Sequence, residues 1–181
     1  MYKIQRRPPK VHEKVKVMVV EDNEGTAETE LDVLRTLGFD VVWVADGGKA
    51  FDEMKILKPD IVVLDLELPG KTGDQILEQM LQDSDLKNVP AIACSVHLKE
   101  SVDPENLGNK FTRIFHKFTG AAPEMGVAKG STSSSSIKDL VVEVTVACGE
   151  IFGALPRDLY DYWKKTSPYK MPPYGILDEK L

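Results

Sequence analysis

The chain has 181 residues and a net charge of −6, and this length is typical of one domain. Hydrophobic residues make up 42% of the sequence, which excludes a chain disordered throughout, because so much apolar material can bury a core. The two cysteines are too few for a disulfide framework or a structural zinc site, and no apolar run approaches the roughly 20 residues of a membrane helix. We therefore expect a soluble, cytoplasmic protein.

Basic residues are concentrated at the amino terminus. Residues 1–16 contain six lysines and arginines against one glutamate, a local balance of +5 that leaves −11 for the rest of the chain. So acidic a body argues against a broad nucleic-acid surface, because such surfaces derive most of their affinity from neutralising phosphates. We interpret residues 1–14 as a solvated basic arm, while leaving open that the arm contacts phosphate.

Short apolar runs alternate with amphipathic helical patterns along most of the chain. The predicted strands are 15–20, 40–45, 61–65, 91–94 and 113–116. Helical patterns separate the first four strands, with a turn at Gly47-Gly48 and a capping box formed by Thr72 and Gln75. This alternation predicts an α/β fold with a doubly wound, five-stranded parallel sheet.

The second half of the chain departs from this rhythm. Pro104 lies in the middle of 96–111, so the helix expected there is short, starts late or is replaced by a loop. Residues 120–136 are rich in glycine, alanine and serine and predict a flexible insertion. The apolar spacing over 137–151 fits a helix or a strand, and we favour a helix because the fifth strand needs cover. Residues 154–181 form an extended, aromatic and proline-rich tail, which we expect to dock on its own chain or in a homodimer.

Polar residues follow the predicted strands at their carboxyl ends, where open parallel sheets bind ligands. These residues are Glu21, Asp22, Asp65, Ser95 and Lys117. Carboxylates in one crevice repel one another, and a hard cation such as Mg²⁺ relieves the repulsion. An aspartate beside a metal can attack phosphorus and form an acyl phosphate, while a lysine and a hydroxyl hold the phosphoryl oxygens. The pattern therefore predicts phosphoryl transfer to an aspartate at this edge of the sheet.

Four sequence motifs carry a family resemblance. They are V-M-V-V-E-D-N at 17–23, V-V-L-D-L-E-L-P-G-K-T-G at 62–73, A-C-S at 93–95 and F-H-K-F at 115–118. With these motifs, residues 15–153 resemble the receiver domain of two-component response regulators. The resemblance implies a flavodoxin-like sheet with strand order 2-1-3-4-5.

The resemblance also assigns a metal site. It implies that Mg²⁺ is bound by Asp22 directly, by Glu21 directly or through water, by Asp65 and by the backbone carbonyl of Glu67. Each of these residues adjoins the carboxyl end of the first or third predicted strand.

A signalling role follows from the same resemblance. Asp65 would accept a phosphoryl group from a histidine kinase or phosphotransfer protein, with Ser95 as the switch hydroxyl and Lys117 as the phosphate contact. Only 28 residues follow residue 153, where the receiver-like stretch ends, and they contain no helix-turn-helix pattern, so we expect no DNA-binding domain. We predict a stand-alone, chemotaxis-type receiver that is not an enzyme and signals through a downstream partner protein.

Two departures from the family leave alternatives open. Phe118 replaces the proline that usually follows the lysine, and Ile114 stands where many receivers place the switch aromatic residue. These changes are also compatible with a receiver-like scaffold or protein-binding module that works without phosphorylation. A hydrolase with an aspartyl-phosphate intermediate is disfavoured, because Asp65 ends the third predicted strand and the length leaves no room for a cap domain.

Overall fold

The computed structural model describes residues 14–95, 113–116, 133–166 and 175–177. Its main sheet has five parallel strands which, numbered along the chain, lie in the order 2-1-3-4-5, and this confirms the predicted doubly wound topology. The strands are β1 (Lys16–Val20), β2 (Asp40–Val44), β3 (Ile61–Asp65), β4 (Ala91–Ser95) and β5 (Arg113–His116).

Helices follow the first three strands, and each begins at a side-chain cap. They are α1 (Glu24–Thr36), α2 (Gly47–Leu57) and α3 (Gly73–Gln82). The predicted capping box of Thr72 and Gln75 is confirmed at the start of α3. The predicted turn at Gly47-Gly48 is wrong: Asp46 accepts a 2.8 Å hydrogen bond from the Gly48 amide, and this cap allows both glycines to open α2.

Two hydrophobic clusters cover the two faces of the sheet. Val17 and Val19 of β1 contribute to one cluster, whereas Met18 and Val20 contribute to the other. Because successive side chains of a strand point to opposite faces, β1 is buried on both sides. This explains why its sequence is a continuous apolar run. The clusters hold the sheet between its helices and leave the strand ends free to form a site.

The last long helix, α4 (Ser133–Phe152), confirms the helix predicted over 137–151. It also corrects the insertion predicted over 120–136, because residues 133–136 form the first turn of this helix. Serine is among the residues favoured at helix N-termini, so a run of serines is compatible with a helix start as well as with a loop. Residues 96–112, which include Pro104, and residues 117–132 lie outside the described residues.

The carboxyl-terminal segment folds rather than remaining an extended tail. It comprises β6 (Ala154–Pro156), α5 (Arg157–Thr166) and β7 (Gly175–Leu177), and β6 pairs with β7 in parallel. Leu155 and Leu159 join the same cluster as α1 and α4, and Trp163 is also buried. Leu159 and Trp163 lie four residues apart on α5 and form its apolar stripe, which the prolines and tyrosines around it obscure in the sequence. None of the helices in the described part of the chain has the length and apolar character that crossing a bilayer requires.

Candidate functional site

Three of the predicted site residues come together at the carboxyl ends of β1 and β3. These two strands are neighbours in the sheet, with Val20 of β1 opposite Leu64 of β3. Glu21 and Asp22 follow β1, and Asp65 ends β3. Each of the three offers a carboxylate oxygen, and these oxygens lie within 4.8 Å of one another. The topology therefore creates a concentrated patch of negative charge.

The loop between β1 and α1 sets the position of the first two carboxylates. Asn23 caps α1 by accepting a 2.9 Å hydrogen bond from the Thr26 amide, so the helix begins after Glu21 and Asp22. Both residues therefore belong to the loop between β1 and α1 and not to the helix. The Asn23 amide donates to Oε1 of Glu21 at 3.2 Å, which holds this buried side chain against its own loop. Asp22 is exposed.

Asp65 is buried, and its surroundings disfavour its charge. Burial raises the pKa of its carboxyl to about 6, and the negative charges of Asp22 and Glu67 act in the same direction. A 2.9 Å hydrogen bond from the Glu67 amide to Oδ1 of Asp65 partly opposes this rise. A bound cation would relieve the remaining repulsion. An all-carboxylate set of hard oxygen donors fits Mg²⁺, so the residues present suit the metal that the sequence resemblance implies.

The loop from β3 to α3 is packed tightly against Asp65. The Gly73 amide donates to the carbonyl of Leu66 at 3.2 Å, which folds the start of α3 back onto the end of β3. A Cβ atom at Gly73 would collide with the backbone carbonyl oxygen of Asp65. Gly70, in the same loop, has a φ of +81°, a conformation that favours glycine. The backbone of this loop therefore requires the two glycines of the P-G-K-T-G motif that follows Asp65.

Of the remaining predicted site residues, Glu67 and Ser95 belong to the described part of the chain and Lys117 does not. Glu67 lies in the loop after β3 with an exposed side chain. Ser95 is the last residue of β4, one position beyond Cys94, which pairs with Asp65 across the sheet.

Ile114 belongs to β5, while Lys117 and Phe118 lie outside the described residues. The roles of Glu67, Ser95 and Lys117 stay predictions.

Glu30 lies near the site and is not among the residues predicted from the sequence. It lies on the buried face of α1, where its Oε1 accepts a 3.8 Å hydrogen bond from the Cys94 thiol. Burial, followed by the charge of Asp65, raises the pKa of Glu30 to about 7. Its spacing from Ala27 and Leu34 puts it in the apolar stripe of the helix, and that position is the signal that could have identified it.

Solved structures with this fold include several receiver domains. The response regulator domain of Thermotoga maritima CheB superposes with a TM-score of 0.59 at 21% identity, covering 75% of this chain and 96% of that one. The receiver domain of the sensor histidine kinase PA1611 from Pseudomonas aeruginosa superposes with a TM-score of 0.52 at 22% identity, covering 68% of this chain and 91% of that one. That structure has a magnesium ion coordinated in its active site cleft. These likenesses establish the fold.

Curated relatives match over shorter stretches. The polar-differentiation response regulator DivK of Brucella anthropi is 30% identical over 77 residues, which are 42% of this chain and 63% of DivK. The DNA-binding response regulator MtrA of Mycolicibacterium smegmatis is 39% identical over 69 residues, which are 38% of this chain and 30% of MtrA. Both matches thus span less than two thirds of the relative.

The family model described as "Response regulator receiver domain" matches residues 17–120, a stretch that contains all six predicted site residues. Because this match covers more than half of the sequence and agrees with the topology, the chain belongs to the response regulator receiver family.

Proposed function

We propose that this protein is a phosphoacceptor of a two-component pathway, with Asp65 receiving a phosphoryl group from a phosphohistidine donor. The donor is a histidine kinase or a phosphotransfer protein. Mg²⁺ would be held by Asp22, Asp65 and the backbone carbonyl of Glu67, with Glu21 acting directly or through water. The observation that carries the proposal is the cluster of three carboxylates within 4.8 Å of one another at the ends of β1 and β3.

The chemistry assigned to Asp65 is nucleophilic attack on phosphorus. A carboxylate oxygen forms the new P–O bond while the P–N bond of the donor breaks, and the electron pair stays on the donor's imidazole nitrogen, which takes up a proton. The reaction needs the ionised carboxylate. Because the pKa of Asp65 is about 6, the nucleophile is mostly ionised at neutral pH even without a cation. Bound Mg²⁺ would supply positive charge beside the phosphoryl oxygens.

The remaining roles complete the phosphoryl site. Ser95 is the hydroxyl that contacts one phosphoryl oxygen, and Lys117 is the cation that contacts another. The position of Ser95 at the end of β4, beside the strand that carries Asp65, supports its part in this assignment. Phosphorylation then changes the surface near β4 and β5, and a partner protein recognises the changed surface.

We further propose that the protein signals without turning over a substrate and acts in the cytoplasm. Both cysteines are unpaired and buried, which suits a reducing compartment. Burial and the neighbouring carboxylates hold the pKa of the Cys94 thiol well above its usual range, so this thiol is unreactive. The acidic site, rather than the cysteines, therefore carries the chemistry.

The test is phosphorylation of the purified chain by acetyl phosphate in the presence of Mg²⁺. We expect one acid-labile phosphate per chain, measured by intact mass, and its complete loss in Asp65→Asn. Asp52→Asn removes an exposed carboxylate from α2 and serves as the matched control, with labelling unchanged. EDTA should prevent labelling of every variant.

A different outcome would favour the scaffold alternative. If neither acetyl phosphate nor a histidine kinase labels the wild-type chain, the phosphoacceptor proposal is wrong. Equal binding of a downstream partner by the wild-type and Asp65→Asn proteins would then identify a binding module that works without phosphorylation.

A further inference from the structure

Trp43 makes a side-chain contact with the loop that carries the acidic pair. It lies near the end of the edge strand β2, half-buried against the hydrophobic cluster on the α1 face of the sheet. Its indole Nε1–H donates a 2.7 Å hydrogen bond to the backbone carbonyl of Glu21. Twenty-two positions separate these two residues in the sequence, so only the pairing of β1 with β2 brings them together.

The indole extends the hydrogen-bond ladder past the end of β2. The ladder continues as far as the Glu21 amide, which donates to the carbonyl of Val44 at 3.2 Å. In a parallel sheet the next backbone hydrogen bond would run from the amide of Asp46 to the carbonyl of Glu21. The chain has left the sheet by then, because Asp46 caps α2. The Trp43 indole N–H donates to the Glu21 carbonyl in place of that amide.

This hydrogen bond fixes a peptide group inside the metal site. The carbonyl of Glu21 and the amide of Asp22 belong to one planar unit, so holding the carbonyl sets the direction in which the chain enters Asp22. The other end of the loop is held by the Asn23 cap of α1. Within the described residues, the short segment that carries both carboxylates is therefore anchored at its two ends.

We propose that Trp43 is a positioning residue for the metal site, because its indole N–H orients the Glu21–Asp22 peptide so that both carboxylates face Asp65. The inference rests on the proposed function, since the site it serves is the proposed Mg²⁺ site. A neutral hydrogen bond of this kind contributes enough that its loss should weaken Mg²⁺ binding roughly 3- to 10-fold. Trp43 itself touches neither metal nor phosphoryl group.

The first experiment compares Trp43→Phe with Trp163→Phe. Phenylalanine keeps an aromatic ring at position 43 but removes the N–H donor. Trp163 is the matched control: it is the other tryptophan of the chain, and its buried Nε1 has no hydrogen-bond partner in the described structure. We expect calorimetric Mg²⁺ titration to give a 3- to 10-fold higher Kd for Trp43→Phe and an unchanged Kd for Trp163→Phe.

The second experiment observes the hydrogen bond directly and does not require Trp43 to be replaced. In Trp163→Phe, one indole N–H resonance remains in the ¹⁵N spectrum, and it belongs to Trp43. We expect it to exchange slowly with solvent and to shift on addition of Mg²⁺. Asp22→Asn should abolish the shift at the same Mg²⁺ concentration.

The outcomes separate the two proposals. If the wild type binds Mg²⁺ but Trp43→Phe and Trp163→Phe have equal Kd values, the role of Trp43 is wrong and the metal site stands. If Trp43→Phe does not fold, an indole resonance that fails to shift with Mg²⁺ overturns the inference instead. If the wild type binds no Mg²⁺, the metal site of the proposed function fails, and the role of Trp43 fails with it.

Discussion

A carboxyl group inside an apolar helix face has a measurable effect on stability. Glu30 is buried on α1, and its pKa is raised from an ordinary 4.5 to about 7. Folding therefore favours its protonated form. The stabilisation that this protonated carboxyl provides is fully present below about pH 4.5 and is lost as the pH rises through about 7. The reason is that the carboxyl of the unfolded chain ionises at the lower pH, whereas the folded chain still holds the proton there. A difference of this size corresponds to roughly 3 kcal/mol of unfolding free energy.

We predict that Glu30→Gln reduces the loss of stability between mildly acidic and mildly alkaline pH. Urea unfolding in EDTA at about pH 5 and about pH 8 should show the free energy of unfolding falling by roughly 3 kcal/mol less in the variant than in the wild type. Part of the pH dependence should remain, because the pKa of Asp65 is also raised, to about 6.

Glu28→Gln is the control for this prediction. Glu28 is an exposed carboxylate on the same helix, so its replacement removes the same charge without changing the buried face. The pH dependence of the control should match the wild type. An unaltered pH dependence in Glu30→Gln would show that Glu30 is ionised in the folded state at all these pH values.

At the scale of elements, the junction between β3 and α3 constrains the site most tightly. We predict that Gly73→Ala lowers the free energy of unfolding by about 1–3 kcal/mol, because the added Cβ would collide with the carbonyl of Asp65 and lie 2.9 Å from Cα of Leu66. Both contacts are with backbone, so the end of β3 must move. Urea titration measures the loss, and Mg²⁺ titration should show weaker binding.

The same substitution in another helix should have the opposite sign. Gly25 lies in the first turn of α1, where an added Cβ would meet only Oδ1 of Asn23 at an ordinary 3.5 Å. Gly25→Ala should therefore raise the free energy of unfolding by up to about 1 kcal/mol, since alanine loses less backbone entropy than glycine on folding. Equal effects of the two variants would refute the clash at Gly73.

At the scale of the whole molecule, the carboxyl-terminal unit completes one face of the sheet. Leu155 and Leu159 share a cluster with α1 and α4. The unit also abuts the turn between α1 and β2, where Gly38 has a φ of +88° and an added Cβ would lie 3.2 Å from Oδ2 of Asp158. The β6-α5-β7 unit is therefore part of the fold rather than an appendage.

We predict that Leu159→Ala lowers the free energy of unfolding by about 2–5 kcal/mol, because it leaves a cavity in the shared cluster. Urea unfolding should remain one transition with an earlier midpoint. Lys164→Ala, an exposed position on the same helix, should change the stability by less than about 0.5 kcal/mol. An unchanged midpoint in Leu159→Ala would mean that the unit unfolds separately from the sheet.

The order of strands and helices along the chain, and the carboxylates at the strand ends, can be predicted from the amino-acid sequence. The apolar runs of β1 and β3 and the cap before α3 are local patterns, and the positions of Glu21, Asp22 and Asp65 follow from where those patterns stop. The serines in the first turn of α4 contradict the predicted insertion, because serine favours loops and helix starts alike.

Features that depend on contacts between residues far apart in the sequence could not be predicted in this way. The hydrogen bond from Trp43 to Glu21 exists because two strands pair, and the docking of Leu159 exists because α1 and α4 leave an apolar surface for it. The raised pKa of Glu30 requires both its burial and the nearby charge of Asp65. Such effects arise from distance and solvent exclusion, which a linear pattern of residue types does not specify.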